Sequence, residues 1–274
     1  MTIEARNVTK SFVTRDAAGQ ANRRFLALDR MSLAVGNHEF VSLLGASGCG
    51  KSTLLKMIDG LVRPDSGEVL IDGRRVRGPG PDRAMVFEHA ALMPWADVLT
   101  NVAFSLELRN MPKAEREERA RTMLAAVGLA GFERAYPHQL SGGMRQRAAL
   151  ARAFVTEPGI MLMDEPFGLL DALTRQVLQV DLLDLWEERR MTVVFVTHSI
   201  EEAVFLSDRI VVMTPRPGRV AEIVDVRLPR PRSPEEARMS REFAQVSAHL
   251  WETLKGLLSL PVGGKLRLRP AEGA

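Results

Sequence analysis

The chain has 274 residues, 46% of them hydrophobic and 26% charged, a balance that fits one large α/β core and excludes a disordered or collagen-like class. Its 37 basic and 34 acidic side chains leave a formal charge of +3, and no stretch has the dense basic face with interleaved aromatics that favours nucleic acid, so no nucleic-acid partner is expected. One cysteine excludes an internal disulfide and a cysteine-built metal site, and no apolar run approaches the roughly 20 residues of a membrane span. The N-terminus lacks a secretion signal, which places the expected chain in the cytoplasm, with any membrane contact made through a partner.

From the N-terminus, residues 3–44 alternate apolar and polar positions in short runs. Val8, Phe12, Leu26, Leu28, Met31, Leu33 and Val35 lie on candidate inward faces, and a small antiparallel sheet is predicted, with a loop over 16–22. Phe40 to Leu44 reads as a short buried strand and runs into Gly45-Ala46-Ser47-Gly48-Cys49-Gly50-Lys51-Ser52-Thr53. This is the frame G-x-x-x-x-G-K-[ST] of a phosphate-binding loop, in which glycines let backbone N–H groups turn onto a phosphate at a helix N-terminus. Lys51 is expected on the β- and γ-phosphates and the Ser52 hydroxyl on Mg²⁺. Cys49 lies beside Lys51 at the same helix start, surroundings that favour its thiolate.

A helix closed by Gly60 follows, then a strand at 68–71 with the hairpin signal Asp72-Gly73, and a short strand Met85-Val86-Phe87. Residues 89–158 read as helices, with Thr100 as an N-cap, Pro112 as a breaker and Gly128 as a stop. The sheet resumes at 160–164. A helix over 171–190, a strand at 192–197, a helix near 199–206 and strands near 209–214 and 219–226 follow, an alternation that predicts a mostly parallel sheet covered on both faces. Ser233-Pro234-Glu235-Glu236 caps a terminal helix whose stripe Met239, Phe243, Val246, Leu250, Leu254 and Leu257 is expected to pack on the main body. The tail from Pro261 reads as disordered. Residues 215–274 hold 11 basic against 7 acidic side chains, and the excess around Arg216, Arg219, Arg227, Arg230 and Arg232 reads as solvated surface or as contact with anionic headgroups.

Two carboxylates, Asp164 and Glu165, end the apolar strand Ile160-Met161-Leu162-Met163, where a purely structural strand rarely tolerates them. Beside a phosphate loop, Asp164 is expected to hold Mg²⁺ and Glu165 to accept a proton from a water attacking the γ-phosphate. Leu140-Ser141-Gly142-Gly143-Met144-Arg145-Gln146 stands at a helix start, a second anion site between the loop and the Asp-Glu strand. This order resembles the ATP-binding-cassette (ABC) ATPases, whose signature is LSGGQ. The resemblance covers essentially residues 3–228.

The resemblance implies an α/β phosphate-loop NTPase core with a mostly parallel sheet, an N-terminal antiparallel subdomain and an inserted helical subdomain at about 89–158. Residues 1–228 would be the nucleotide-binding domain, with an amphipathic helix and tail at 229–274. It implies adenine stacking at Phe12, a Q-loop at Val86-Phe87-Glu88 that brings Glu88 to the metal, a D-loop at Leu169-Leu170-Asp171 and a switch histidine at His198. The other histidines read as ordinary: His38 in a turn, His89 and His138 in loops, His249 on the terminal helix. Two positions depart from the family pattern: Glu88 stands for glutamine, and Gly168-Leu169-Leu170-Asp171 for the commoner serine-alanine-leucine-aspartate.

In the family each ATP lies between the phosphate loop of one subunit and the signature of another. One loop and one signature therefore imply a homodimer, or a heterodimer with a close relative, in which Ser141, Gly142, Gly143 and Asp171 face the partner's nucleotide. Ala90-Ala91-Leu92-Met93-Pro94-Trp95 falls where the family seats a permease helix. Leu92-Met93-Pro94-Trp95, residues 164–168 and Met213 to Val220 resemble the nitrate, sulfonate, taurine and bicarbonate importers. The expectation is the ATP-hydrolysing subunit of such an importer, peripheral on the cytoplasmic side of the membrane and linked through permeases to an external solute-binding protein. A soluble ABC ATPase acting on DNA or ribosomes is the first alternative, and a phosphate-loop kinase or GTPase the second. The first usually carries a coiled coil, zinc element or second cassette, and the signature at 140–146 argues against the second.

Overall fold

The computed structural model describes residues 1–15 and 21–258. In chain order the strands and helices are β1 (Ile3–Arg15), β2 (Ala21–Val35), β3 (Phe40–Leu44), α1 (Lys51–Asp59), β4 (Ser66–Ile71), β5 (Arg74–Arg75), β6 (Arg83–Val86), α2 (Val98–Glu107) and α3 (Lys113–Ala126). There follow α4 (Gly142–Phe154), β7 (Ile160–Asp164), α5 (Ala172–Arg189), β8 (Thr192–Thr197), α6 (Ile200–Leu206), β9 (Arg209–Met213), β10 (Val220–Asp225), α7 (Pro234–Met239) and α8 (Arg241–Leu257).

Two sheets form. The first is antiparallel in the order β2-β1-β4-β5, and the second runs β10-β9-β3-β8-β7-β6, parallel throughout except for β10 against β9. The central strands are apolar without a break because both of their faces are covered. In β3, Phe40 and Leu44 join one core with α2 to α8, while Val41 and Leu43 join the other with α1 and the antiparallel sheet. Phe40 meets Trp186 edge-on with ring centroids 5.7 Å apart and Phe195 at 5.9 Å, tying α5 to the sheet. The consequence for function is one of placement: β3, β8 and β7 are parallel neighbours with Leu44 opposite Thr197 and Asp164 opposite Val196, so the three chains that follow them emerge side by side.

Several elements differ from the sequence-based expectation. The N-terminal strands are long rather than short, and β4 pairs with β1 to enlarge their sheet, a non-local pairing that no local pattern announces. Of their expected inward set, Val8, Leu28, Met31, Leu33 and Val35 are buried, whereas Phe12 and Leu26 are half-buried. Asp72 and Gly73 both take positive φ, 46° and 74°, and turn β4 back into β5. The strand expected at 85–87 is β6 and stops at Val86, leaving Phe87 exposed.

Asp97 caps α2, accepting the Thr100 N–H at 2.8 Å, so Thr100 lies inside the first turn rather than at the cap. Pro112 precedes α3 instead of breaking a helix, and Gly128, at φ 70°, follows its end. The single terminal helix is two: the Ser240 hydroxyl accepts the Phe243 N–H at 3.1 Å and starts α8 afresh, which leaves Met239 exposed while Phe243, Val246 and Leu250 are buried. His138 stands on a short 3-10 turn, Pro137–Gln139. The tail beyond Pro261 and most of the loop at 16–22 lie outside the described residues.

Candidate functional site

The loop between β3 and α1 wraps around a buried lysine. Lys51 is 4% exposed; its ammonium donates to Gly45 O at 2.8 Å and Ala46 O at 3.1 Å and lies 4.0 Å from Glu165. A buried ammonium is costly without such partners, so the loop carbonyls hold it at the head of α1. Gly50 has φ 106°, and a Cβ there would lie 2.6 Å from Leu28 Cδ2 and 3.0 Å from Ala27 O, so glycine alone lets α1 start against β2. Ser47 and Gly48 are exposed, Ala46, Ser52 and Thr53 half-buried. Cys49 is different: it is 1% exposed in the apolar core, and burial pushes its thiol up in spite of the nearby Lys51. The reading of Cys49 as a thiolate is therefore corrected, because desolvation outweighs one lysine. Its backbone belongs to the loop; its side chain does not face the cleft.

Across the strand ends, Ser52 Oγ donates to Asp164 Oδ1 at 2.7 Å. Burial raises the Asp164 carboxyl, the Ser52 hydrogen bond opposes that, and the charges of Glu165 and Glu88 reinforce it. Glu165 takes φ 48°, an uncommon conformation for a non-glycine residue, with its N–H on Val196 O at 3.0 Å. That turn aims its carboxylate at two cations or donors: Oε2 lies 2.9 Å from His198 Nδ1, and Oε1 faces Lys51. Glu88 is exposed, makes no hydrogen bond among the described residues, and lies with His89, Pro166 and Leu170 in a neighbouring hollow. It reaches Asp164 through space only.

The residues fit Mg²⁺ in a particular way. Ser52 and Asp164 offer two hard oxygens within the negative field of Glu165 and Glu88, while among the described residues no cluster of three or more His, Cys, Asp or Glu could cage a metal alone. Mg²⁺ sites of this type take one or two protein oxygens and complete the shell with water and phosphate.

A cleft of about 260 Å³ opens over the loop, bounded by Phe12, Phe25, Gly48, Lys51, Glu165 and Arg216. Phe12 packs at 5.9 Å on Phe25, a second aromatic at the same end of the cleft that the sequence reading missed. Its signal was present, since Phe25 pairs with Phe12 across the β1–β2 register, but a lone sequence does not reveal that register. Ser141 caps α4 by accepting the Met144 N–H at 3.2 Å, and Asp171 caps α5 by accepting the Thr174 N–H at 3.0 Å. Gly142 and Gly143 lie against Leu170 and Thr174. Signature and D-loop thus form one surface.

Behind His198 stands an unforeseen network. Buried Glu202 accepts the Thr197 hydroxyl and the Gln179 amide and lies 3.7 Å from Arg175, which donates to Leu170 O at 2.8 Å. Burial raises the Glu202 carboxyl against these partners. The apolar stretch after Glu88 is likewise fixed by polar groups: Asn101 bonds Met93 N and O, Ala96 O and Asp97 O, and Arg152 donates to Ala90 O and Ala91 O. The held loop leaves Trp95 77% exposed.

Known proteins resemble this chain over most of its length. The ABC transporter family matches residues 28–168. An uncharacterized ABC transporter ATP-binding protein of Methanocaldococcus jannaschii is 51% identical over 253 residues, 92% of this chain and 91% of that protein. The taurine import ATP-binding protein TauB of Burkholderia thailandensis is 51% identical over 202 residues, 73% of this chain and 78% of its own length. Among solved structures, a dimeric ATP-binding cassette in a post-hydrolysis state bound to ADP and Pi superposes with a TM-score of 0.73 at 34% identity, covering 82% of this chain and 99% of that one.

Proposed function

This chain belongs to the ABC transporter family and is an ATPase of the ATP-binding-cassette type; from that premise we propose that it powers uptake of a small anionic solute of the nitrate, sulfonate, taurine or bicarbonate type. The observation that carries the catalytic part is the meeting of Lys51, the Ser52–Asp164 pair and the Glu165–His198 pair at adjacent strand ends. The likeness to proteins named for taurine import supports the solute class.

The roles follow from position. The exposed rim of Gly45 to Thr53 and the Lys51 ammonium receive the triphosphate, and Phe12 takes the adenine. Ser52 and Asp164 would hold Mg²⁺, with Glu88 adding negative charge nearby; the ion would neutralise charge on the phosphates. Glu165 accepts the proton of the attacking water on its carboxylate, and His198, bonded to Oε2, orients that carboxylate and faces the γ-phosphate. Ser141, Gly142, Gly143 and Asp171 would serve the nucleotide of a partner subunit, a reading supported by the contact of signature and D-loop in one surface and by the dimeric cassette this chain resembles.

Two such chains would sit beneath permease subunits on the cytoplasmic side of the membrane. Among the described residues no helix is long and apolar enough to cross it. The rigid loop carrying Trp95 suits a permease contact, an aromatic anchor on a preformed surface. The solute-binding protein outside would be reached only through those permeases. The test is purification of the tagged protein from its own membranes, with identification of what accompanies it. Permease subunits are expected; recovery with ribosomes or DNA repair factors and no membrane protein would overturn the transport reading.

A further inference from the structure

The turn between β9 and β10 is locked onto the phosphate loop. Gly218 donates to Ala27 O at 2.9 Å and accepts from Asp29 N at 3.1 Å, a bridge to β2, and Arg219 Nε donates to Asp29 Oδ2 at 3.0 Å. Within the turn, Thr214 Oγ1 donates to Pro217 O at 2.9 Å and accepts from Arg219 N at 3.0 Å. A Cβ on Gly218 would lie 2.0 Å from Cys49 O, so the backbone of the turn touches the backbone of the loop. Arg216 projects from this braced turn into the cleft.

Its guanidinium carbon lies 4.4 Å from the centroid of the Phe25 ring, a cation–π stack that holds the planar group in one orientation. Nε and Nη2 both donate to Gly48 O, each at 3.3 Å, while the side chain stays exposed and, among the described residues, no carboxylate oxygen lies within 4.0 Å. Two long bonds to one carbonyl leave most of the five guanidinium donors free. An uncompensated, pre-oriented guanidinium suits an anionic oxygen, and its place between an aromatic pair and the rim of a phosphate loop favours a phosphate oxygen.

We infer that Arg216 is a nucleotide-binding residue of this ATPase, donating to a phosphate oxygen of ATP at the outer rim of the loop while Phe25 holds its guanidinium. A donor at the outer rim, beside the aromatic pair, is expected to serve the phosphates that ATP and ADP share, so its loss should weaken both. This rests on the ATPase reading of the same cleft.

The experiment compares the full chain with Arg216→Gln and Arg216→Lys, measuring ATP and ADP affinity by calorimetry, KM and kcat, and the melting temperature without nucleotide. Glutamine removes the charge and with it the cation–π stack on Phe25, so the nucleotide-free melting temperature is what separates a structural role from a ligand contact. The expected result is about tenfold weaker ATP and ADP binding for Arg216→Gln, the loss of one charge-assisted hydrogen bond. KM should rise in step, nucleotide-free melting should match wild type, and Arg216→Lys should keep part of the affinity. ATP affinity of Arg216→Gln within twofold of wild type would overturn the inference, as would an affinity loss matched by a lower nucleotide-free melting temperature. A wild-type chain that binds no ATP would instead overturn the ATPase assignment.

Discussion

At the scale of the residue, the site depends on where single charges are held. Glu165, the proposed base, has a φ of 48° and turns its carboxylate back toward His198 and Lys51. Glu165→Gln should therefore lose about 10²- to 10⁴-fold in hydrolysis, the usual contribution of a positioned base, while keeping ATP bound. Single-turnover assays beside ATP-binding measurements check this, and near wild-type turnover would remove Glu165 from that role. Glu88 reaches Asp164 only by its charge, so Glu88→Gln should keep hydrolysing but need about two- to fivefold more Mg²⁺ for half-maximal rate, as suits an exposed charge. An unchanged Mg²⁺ titration would mean that Glu88 does not act on the metal. Both residues are singled out in the sequence because each stands at a fixed place in a motif; that Glu88 is exposed and reaches Asp164 only by its charge needed the fold. Cys49 was misread for a physical reason: its neighbours in sequence are a lysine and a helix start, but its neighbours in space are apolar. Arg216 was set down as solvated surface because only the folded chain brings residue 216 to Gly48 and Phe25.

At the scale of the element, the strands β3, β7 and β8 were plain from sequence, since burial on both faces writes an unbroken apolar run. The division of the terminal helix at Ser240 was not, because a serine in a stripe of helical period carries no mark of whether it caps or merely continues. The pairing of β4 with β1 and the loop brace of Asn101 are contacts between distant positions and leave no local trace. Docking of α8 supplies a pH-dependent prediction. Glu222 on β10 accepts from His249 Nε2 at 2.7 Å and from Thr253 Oγ1 at 3.0 Å, and the His249 bond foremost holds its carboxyl below the usual glutamate range. A lowered native value means that the stabilisation is complete above the ordinary glutamate range and is lost as pH falls through that lowered value. Denaturation midpoints of wild type and Glu222→Gln, compared across pH, should differ by a small amount at neutral pH and converge in acid. A difference that grows in acid would contradict the pairing.

At the scale of the whole molecule, part of the basic surplus of the C-terminal region is taken up by internal pairs, while Arg216 and Arg227 stay exposed. Arg219 pairs with Asp29; Arg230 lies over Trp186 and bonds Asp208; Arg232 is buried on the carbonyls of Phe205 and Ser207, and burial lowers its pKa to about 10. Those three arginines fasten residues 219–232 to the ATPase core. The same view shows the cleft and the signature as separate parts of one chain. Its cleft is built from the phosphate loop, the Asp-Glu strand and the antiparallel sheet, while Ser141, Gly142 and Gly143 lie with Leu170 and Thr174 on the surface shared by signature and D-loop. Motif order made this division legible in the sequence; the shared surface needed the fold. The central claim is that two chains complete each other's ATP sites, and mixing two inactive variants tests it most directly. Lys51→Ala lacks the loop cation and Ser141→Arg blocks the signature, so each alone should be inactive. In verified mixed dimers one site joins an intact Lys51 to an intact Ser141, and hydrolysis should return at up to one site per dimer. Mixed dimers that stay inactive, or a Ser141→Arg chain that hydrolyses ATP alone at the wild-type rate, would contradict the account.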